Sequence, residues 1–400
     1  MVPNGWNTKP LADIVKEKIS YGIVQAGPHV PDGIPYIKSS DVRGTINPDA
    51  LQRTSQEIHF KYRRSSVHPG DIVFSLRGNI GESAIVPASL PEANLTQGTA
   101  RISVSVEHSN LFHYYQLASE KILNRVNALS KGSTFKEISL EELRKVKVLC
   151  APLPEQKKIA QILSTWDKAI TTTEQLLVNS QQQKKALMQQ LLTGKKRLLD
   201  KNGVRFSGEW KSYHLSHVTV IVMGSSPKSE AYNENGIGLP LLQGNADIKN
   251  RISAPRVFTS EITKECEIGD ILLSVRAPVG TIAISEHKAC IGRGIAALHA
   301  KPNFDQTFIY QFLLWFEPKW GSLSQGSTFE SINSDDIKNL KIKVPNFGEQ
   351  QKIAAVLSTA DQEISALQQK LDALKQEKKA LMQQLLTGKR RVKIDDKEVA

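Results

Sequence analysis

Lys184–Lys195 reads KKALMQQLLTGK, and Lys378–Lys389 reads KKALMQQLLTGK again, 194 residues later. Identity over that length at a fixed offset marks an internal duplication, which sets the architecture before any residue-level reading. The offset holds upstream. Glu155-Gln156 matches Glu349-Gln350, Ile159-Ala160 matches Ile353-Ala354, and Leu163-Ser164-Thr165 matches Leu357-Ser358-Thr359. Gly132-Ser133-Thr134-Phe135 matches Gly326-Ser327-Thr328-Phe329. Farther out the offset drifts, as loops of unequal length require. Gly70-Asp71-Ile72 with Ser75, Arg77 and Gly81 answers Gly269-Asp270-Ile271 with Ser274, Arg276 and Gly280. Ile34-Pro35-Tyr36-Ile37 answers Leu239-Pro240-Leu241-Leu242, and Trp6 precedes Leu11 as Trp210 precedes Leu215. The order is therefore A, B, A′, B′. B and B′ are close copies, whereas A and A′ share only a framework. Connectors that stay alike face one kind of partner; globular parts that drift face different ones.

Between Pro154 and Gly194 there is no glycine or proline, and the stretch is rich in Gln, Lys, Leu and Ala, all good helix formers. Its twin runs from about 349 to 387 and stops at Gly388. A helix of roughly 38 residues extends about 57 Å. In the second copy Leu357, Ile364, Leu371, Lys378 and Leu385 repeat every seven residues, interleaved with Ile353, Ala360, Leu367, Leu374 and Leu381. That is an a/d seam. The first copy keeps Leu163, Ile170, Leu177 and Leu191 on one line and a more polar line of Ile159, Trp166, Thr173, Ser180 and Leu187. A lysine, Lys184 or Lys378, interrupts the same seam position in both. For the second helix to pack along the first it must run back, so an antiparallel coiled coil with pseudo-two-fold repeat is expected, with the N- and C-termini near one another.

Segments A and A′ read as mixed and strand-rich, giving an α+β fold. Asp71–Leu76 and Asp270–Val275 are short apolar strands entered from glycine turns. Ala100–Val106 alternates Ile102, Val104 and Val106, as a half-buried strand does. Asn110–Asn127 and Asp305–Phe316 read as helices. The Cys150-Ala151-Pro152-Leu153-Pro154 lead-in is proline-rich while Val344-Pro345-Asn346-Phe347-Gly348 ends in glycine, so the two helix starts need not be equivalent.

The chain has 400 residues, enough for two or three domains that each bury a core. No apolar run reaches the roughly 18 residues of a membrane span, and the polar stretch Met1–Pro10 lacks a signal-peptide core. A cytoplasmic protein without a membrane partner is expected. Lysine and arginine number 52 against 40 acidic residues, a net charge of +12. That balance favours a polyanionic partner. The three cysteines, Cys150, Cys266 and Cys290, show no CxxC spacing, and the nine histidines are scattered. No metal site is expected.

Catalytic signatures are missing. Gly194-Lys195 and Gly388-Lys389 lack the upstream glycine and downstream Ser/Thr of a phosphate-binding loop. No GxGxxG follows a strand, and no Asn-Pro-Pro-Tyr-like run appears. Glu155-Gln156-Lys157 has the ExK pattern of some nucleases, but its twin Glu349-Gln350-Gln351 lacks the lysine, and both suit a first helical turn. What remains suits DNA reading, which uses Arg, Lys, Asn, Gln and hydroxyl side chains on rigid elements. Segment A offers Lys38, Ser39, Arg43, Arg77, Asn79, Gln97, Lys131, Ser133 and Thr134; segment A′ offers Gln243, Asn245, Arg276, Arg293, Gln325, Ser327 and Thr328. Arg77 and Arg276, each just after a strand, suit phosphate or base contact and loop-tying equally. The GSTF loops likewise suit either contact or a stabilising turn.

The lines PLPEQKKIAQILSTWDKAI and NFGEQQKIAAVLSTADQEI that open the helices, KKALMQQLLTGKKR and KKALMQQLLTGKRR that close them, and KGSTFKEIS and QGSTFESIN before each resemble the specificity subunits of type I restriction-modification systems. The resemblance covers nearly the whole chain. It implies target-recognition domains over 1–153 and 198–346, long helices over 154–197 and 347–391, and a charged tail over 392–400, whose composition suits a disordered end. Each domain would read one half of a split, asymmetric site in double-stranded DNA, with the helices setting the gap. Two modification subunits and a restriction subunit would dock on the chain; Lys184, Lys185, Gln189, Lys378, Lys379 and Gln383 are the candidates for that contact. S-adenosylmethionine, ATP and magnesium would sit on those partners, and this chain would bind no cofactor and catalyse nothing. The residues by themselves leave a second reading open: a coiled-coil scaffold whose end domains bind proteins. Salt-sensitive DNA binding separates the two.

Overall fold

The computed structural model describes residues 2–132, 136–323 and 331–394. Two compact units form: residues 1–174 together with 370–400, and residues 175–369.

In the first unit, Asn7–Pro10 pairs antiparallel with Lys147–Cys150. A four-stranded sheet orders Ser20–Tyr21, Thr99–Ile102, Ile72–Ser75 and Ser83–Ile85, and a three-stranded sheet orders Gln52–Thr54, Ile34–Ile37 and Asn94–Leu95. Strand alternation divides the side chains of Ile72–Ser75 between two cores. Ile72 and Phe74 join Leu11, Ile14 and Ile102, whereas Val73 joins Ile37, Val67 and Leu95.

The second unit repeats the plan on a larger scale. Lys211–His214 pairs antiparallel with Lys341–Val344. Ile271–Ser274 is central in a six-stranded sheet between Ile295–Ala300 and Ile282–Ile284. Leu239–Leu242 is central in a five-stranded sheet, parallel to Ala289–Ile291. Ile271 and Leu273 face one core and Leu272 the other.

The two long helices span Leu153–Leu191 and Phe347–Leu385. Each contributes to both units. In the first unit Lys375 pairs with Glu174 and Lys378 with Asp167. In the second Lys184 pairs with Asp361, and Ser180 donates to Glu363. Numbers rise on one helix as they fall on the other, so the segments run antiparallel within each unit. Of the seam, Ile159, Leu163, Leu177, Leu191, Ile353, Leu357, Leu371 and Leu385 are buried. Ile170, Ile364, Leu367 and Leu374 are half-buried. Gly194 and Gly388 end the helices with φ of +72° and +68°, the left-handed region that favours glycine. Arg391 Nη1 donates to the Asn4 carbonyl at 2.8 Å, which sets the end of the second long helix beside the first described residues.

Three expectations change. The helix over 110–127 is two helices, Asn110–Leu117 and Glu120–Leu129, because Ser119 turns its hydroxyl onto the Gln116 carbonyl at 2.6 Å and interrupts the ladder. The strand over 100–106 keeps its ladder only through Ile102, with a single bridge from Val104 to Val15 beyond it, and Val106 is 90% exposed; Thr99–Ile102 is buried on both faces rather than one. The two helix starts are closer in hydrogen bonding than their composition suggests: Gln156 Nε2 donates to the Ala151 carbonyl at 2.7 Å and Gln350 Nε2 to the Pro345 carbonyl at 3.0 Å, although Asn346 Oδ1 also accepts from the Glu349 N–H at 3.0 Å, which Pro152 cannot match. The proline-rich and glycine-ended lead-ins present the same carbonyl to the same glutamine.

Candidate nucleic-acid interface

In the first unit the strands 34–37, 72–75 and 99–102 run into adjacent loops. The polar residues singled out from the sequence sit on those loops. Ser39 Oγ donates to the Arg77 carbonyl at 2.6 Å and also meets Ser75 Oγ. Asn79 Nδ2 reaches the Ser39 carbonyl at 3.3 Å, and Arg43 Nη2 donates to Asn79 Oδ1 at 2.7 Å. Gly98, beside Gln97, leaves room for Arg77: a Cβ there would meet Arg77 Cγ at 3.3 Å. Lys38 Nζ donates to Gln52 Oε1 at 3.2 Å. Arg77 Nη2 pairs with Glu137 Oε1 at 2.9 Å, and Glu137 exchanges backbone hydrogen bonds with Lys131. The loop-tying reading of Arg77 is therefore realised in this conformation, while Arg43 and Lys131 remain exposed. Ser133 and Thr134 lie outside the described residues.

The second unit builds the same corner differently. Gln243, at the position of Lys38, is exposed; its backbone N–H and that of Gly244 both donate to Asp247 Oδ2, at 2.8 and 3.3 Å. Asp247 is buried and pairs with Arg256 at 3.0 Å, so it fixes the loop that carries Asn245. Arg293, at the position of Gln97, is exposed, with its N–H held by Ser226 Oγ at 3.2 Å. Gly294 beside it lies so close to Gln243 that a Cβ would stand 2.2 Å from the Gln243 carbonyl oxygen. Arg276 bridges to Ser331 through its backbone where Arg77 bridges to Glu137. Its side chain is exposed and has no ion-pair partner among the described residues. Gln325, Ser327 and Thr328 lie outside the described residues.

The conserved-looking connectors carry contacts that the sequence reading did not assign. Arg391 clamps Glu155 through Nε and Nη2 at 2.6 and 2.8 Å. Arg197 clamps Glu349 in the same way at 2.6 and 2.7 Å. The hydrogen bonds donated to these carboxylates raise the arginine pKa values, and both carboxylates are buried. Glu155 and Glu349 thus anchor helix starts to helix ends. The 194-residue offset relates both partners of each clamp, so the repeat itself held the signal. Lys184 and Lys378, offered for partner docking, turn into the helix pairs: they bond Asp361 and Asp167, and Lys378 also lies over the Tyr115 ring at 5.3 Å. Lys185, Gln189, Lys379 and Gln383 are exposed. Among the described residues, no helix is long and apolar enough to cross a membrane.

A duplicated mixed domain, with polar loops at one corner and long helices as joints, defines a class of repeated DNA-specificity proteins. The family model described as type I restriction modification DNA specificity domain matches residues 3–179 and 207–376. The chain belongs to the family of type I restriction-modification specificity subunits, the non-catalytic members of those systems. A Methanocaldococcus jannaschii protein named for a specificity subunit of the type I restriction enzyme MjaX is 31% identical, over 98% of this chain and 95% of that relative. The fold resembles the solved S subunit from M. genitalium, with a TM-score of 0.63 at 18% identity, covering 96% of this chain and 97% of that one. It also resembles the HsdS subunit from Thermoanaerobacter tengcongensis, with a TM-score of 0.50 at 24% identity over 97% and 98% of the two chains.

Proposed function

We propose that each of the two units reads one half of a bipartite, asymmetric site in double-stranded DNA and that the long helices set the spacer between the halves. One observation carries this reading. The two copies keep their helices, clamps and strand framework, yet they exchange the side chains at the same loop corner, Lys38 for Gln243 and Gln97 for Arg293. A protein that reads two different half-sites needs this division. A scaffold with two equivalent protein-binding ends does not. Lys38, Ser39, Arg43, Asn79, Gln97 and Lys131 are the contacts in the first unit, with Gln243, Asn245, Arg276 and Arg293 in the second. Arginine and lysine hold phosphates or guanine edges, and the amides suit adenine.

The copied helix surfaces serve copied partners, so two modification subunits dock through Lys185, Gln189, Lys379 and Gln383, and a restriction subunit joins them in the cytoplasm. S-adenosylmethionine, ATP and magnesium act on those partners. The test is a genome-wide map of methylated adenine with and without this gene. Loss of one motif made of two short defined halves around a fixed gap is the expected result. An unchanged map, together with DNA binding by the assembled complex that does not weaken with salt, would overturn the reading.

A further inference from the structure

His108, His113 and Cys150 come from a turn, the helix Asn110–Leu117 that follows it and the ribbon strand Lys147–Cys150. In the fold one donor atom of each lies within 4.8 Å of the other two. His113 is fully buried, and neither ring nitrogen has a hydrogen-bond partner among the described residues. Buried polar atoms without partners are rare and costly, and each one calls for a reason. Burial of the ring disfavours its charged form. Cys150 is a buried free thiol. The half-buried His108 stacks edge-on against His113 at 5.2 Å, and its Nδ1 lies 3.1 Å from Gln156 Nε2.

The duplication supplies a control within the same molecule. Ser109 and Asp305 occupy one framework position: each caps a helix, and each donates its N–H to the matching glutamine, Gln156 or Gln350, at 2.9 Å. Cys150 and Val344 end matching ribbon strands. By that register His108, His113 and Cys150 correspond to Phe304, Ile309 and Val344, which all pack in the second unit's apolar core. The framework therefore needs no polar atom at these positions. The first copy places two imidazoles and a thiol where the second places hydrocarbon.

We propose that His108, His113 and Cys150 form a metal site for a zinc-class divalent ion, with the fourth position open to water beside His108. Two imidazole nitrogens and one thiolate suit a borderline-soft, tetrahedral cation. In such a site, bonds of about 2.0–2.3 Å set donor atoms about 3.5 Å apart, so closure asks for roughly 1 Å of side-chain movement. Binding breaks the S–H bond of Cys150, forms the metal–sulfur bond and releases the proton to solvent. Lys9 faces both His108 and Cys150, and Glu107 faces His108 from the same turn; burial, the larger influence on Cys150, disfavours its thiolate, which forms only together with the metal–sulfur bond. The ion would tie the last strand before the first long helix to the helix that Gln156 already grips, stiffening that joint in the first copy alone.

The test uses the full chain, stripped with a chelator and titrated with Co2+ as a spectroscopic stand-in for Zn2+. One Co2+ per chain with a thiolate charge-transfer band, displaced by Zn2+, is expected. Cys150→Ser should abolish the band, and Cys266→Ser and Cys290→Ser should keep it. His113→Ile should weaken Co2+ binding at least tenfold. Because single variants can unfold this core, a His108→Phe, His113→Ile, Cys150→Val variant borrows the packing of the second copy. It should melt cooperatively and show no Zn2+-induced rise in melting temperature, whereas the unaltered chain should rise. Absence of stoichiometric Co2+ binding, survival of the band in Cys150→Ser, or equal Zn2+ shifts in the triple variant and the unaltered chain would each overturn the proposal.

Discussion

Arg77 and Arg276 stand at one position of a duplicated framework, directly after matching strands, and differ in what they face. Arg77 is tied to Glu137, so its guanidinium holds a loop. The strand partner of Arg276 is Ser331, which offers no carboxylate, and the arginine projects into solvent. The first unit carries its exposed charge on Arg43 and Lys131 instead, and the second on Arg276 and Arg293. A shared backbone thus presents two different charge patterns. Between the copies, the contacts that hold helices to domains are preserved; in the loops the backbone ties to Asp41 and Asp247 are kept, whereas the Arg43–Asn79 and Arg77–Glu137 side-chain contacts belong to the first copy.

Deleting one heptad from each long helix should produce the largest effect, because it alters the preserved part. Each helix shortens by about 10 Å, which corresponds to about 3 base pairs of DNA. Methylation mapping should return the same two half-sites around a shorter gap, and an unchanged gap would break the link between helices and spacing. The converse exchange grafts the Lys38–Arg43, Arg77–Asn79 and Gln97 loops of the first unit onto the second. It should change one half-site and leave the gap alone, with each lost base-pair match costing about 1–3 kcal/mol of binding.

The clamps sharpen the comparison further. Arg197→Ala strips Glu349, whose side chain is 0% exposed, of its side-chain donors. Loss of one partner from a buried pair costs about 3–5 kcal/mol; partial exposure of the arginine places this variant near the lower end. Arg391→Ala leaves Glu155 one donor, Trp6 Nε1 at 3.0 Å. It should cost about 1 kcal/mol less in denaturant unfolding, roughly the net worth of a hydrogen bond. Equal losses would show that Trp6 contributes nothing to that carboxylate.

Among the loop residues, Arg276→Ala should weaken DNA binding by about 1–3 kcal/mol for a base contact, or lower the salt slope by about 1 for a phosphate contact. Arg77→Ala should weaken it less, and Glu137→Ala, which frees Arg77, should strengthen it; titration of DNA at several salt concentrations distinguishes these outcomes. The smallest effect belongs to Asp361→Asn. Its partner Lys184 sits within the helix pair, but the aspartate is 41% exposed, so unfolding should shift by about 0.5 kcal/mol.

The sequence alone determined the duplication, the two long helices, their antiparallel course and the absence of recognised catalytic motifs. Those features rest on local periodicity, helix propensity and repeated identity, which act along the chain. Helix ends came within a few residues because Gly194 and Gly388 stop both copies. Gly-rich polar loops marked the corner where the candidate contacts gather, since close backbone approach favours glycine. The tertiary structure decided what each polar side chain does. Glu137 ties Arg77 to a loop at the surface, Asp361 and Asp167 draw Lys184 and Lys378 into the helix pairs, and Ser119 breaks a helix that periodicity reads as continuous. It also brought Cys150 to His108 and His113, a pairing that spacing in the chain does not set. Pairings between distant residues depend on which strands and helices become neighbours, and no local pattern encodes that.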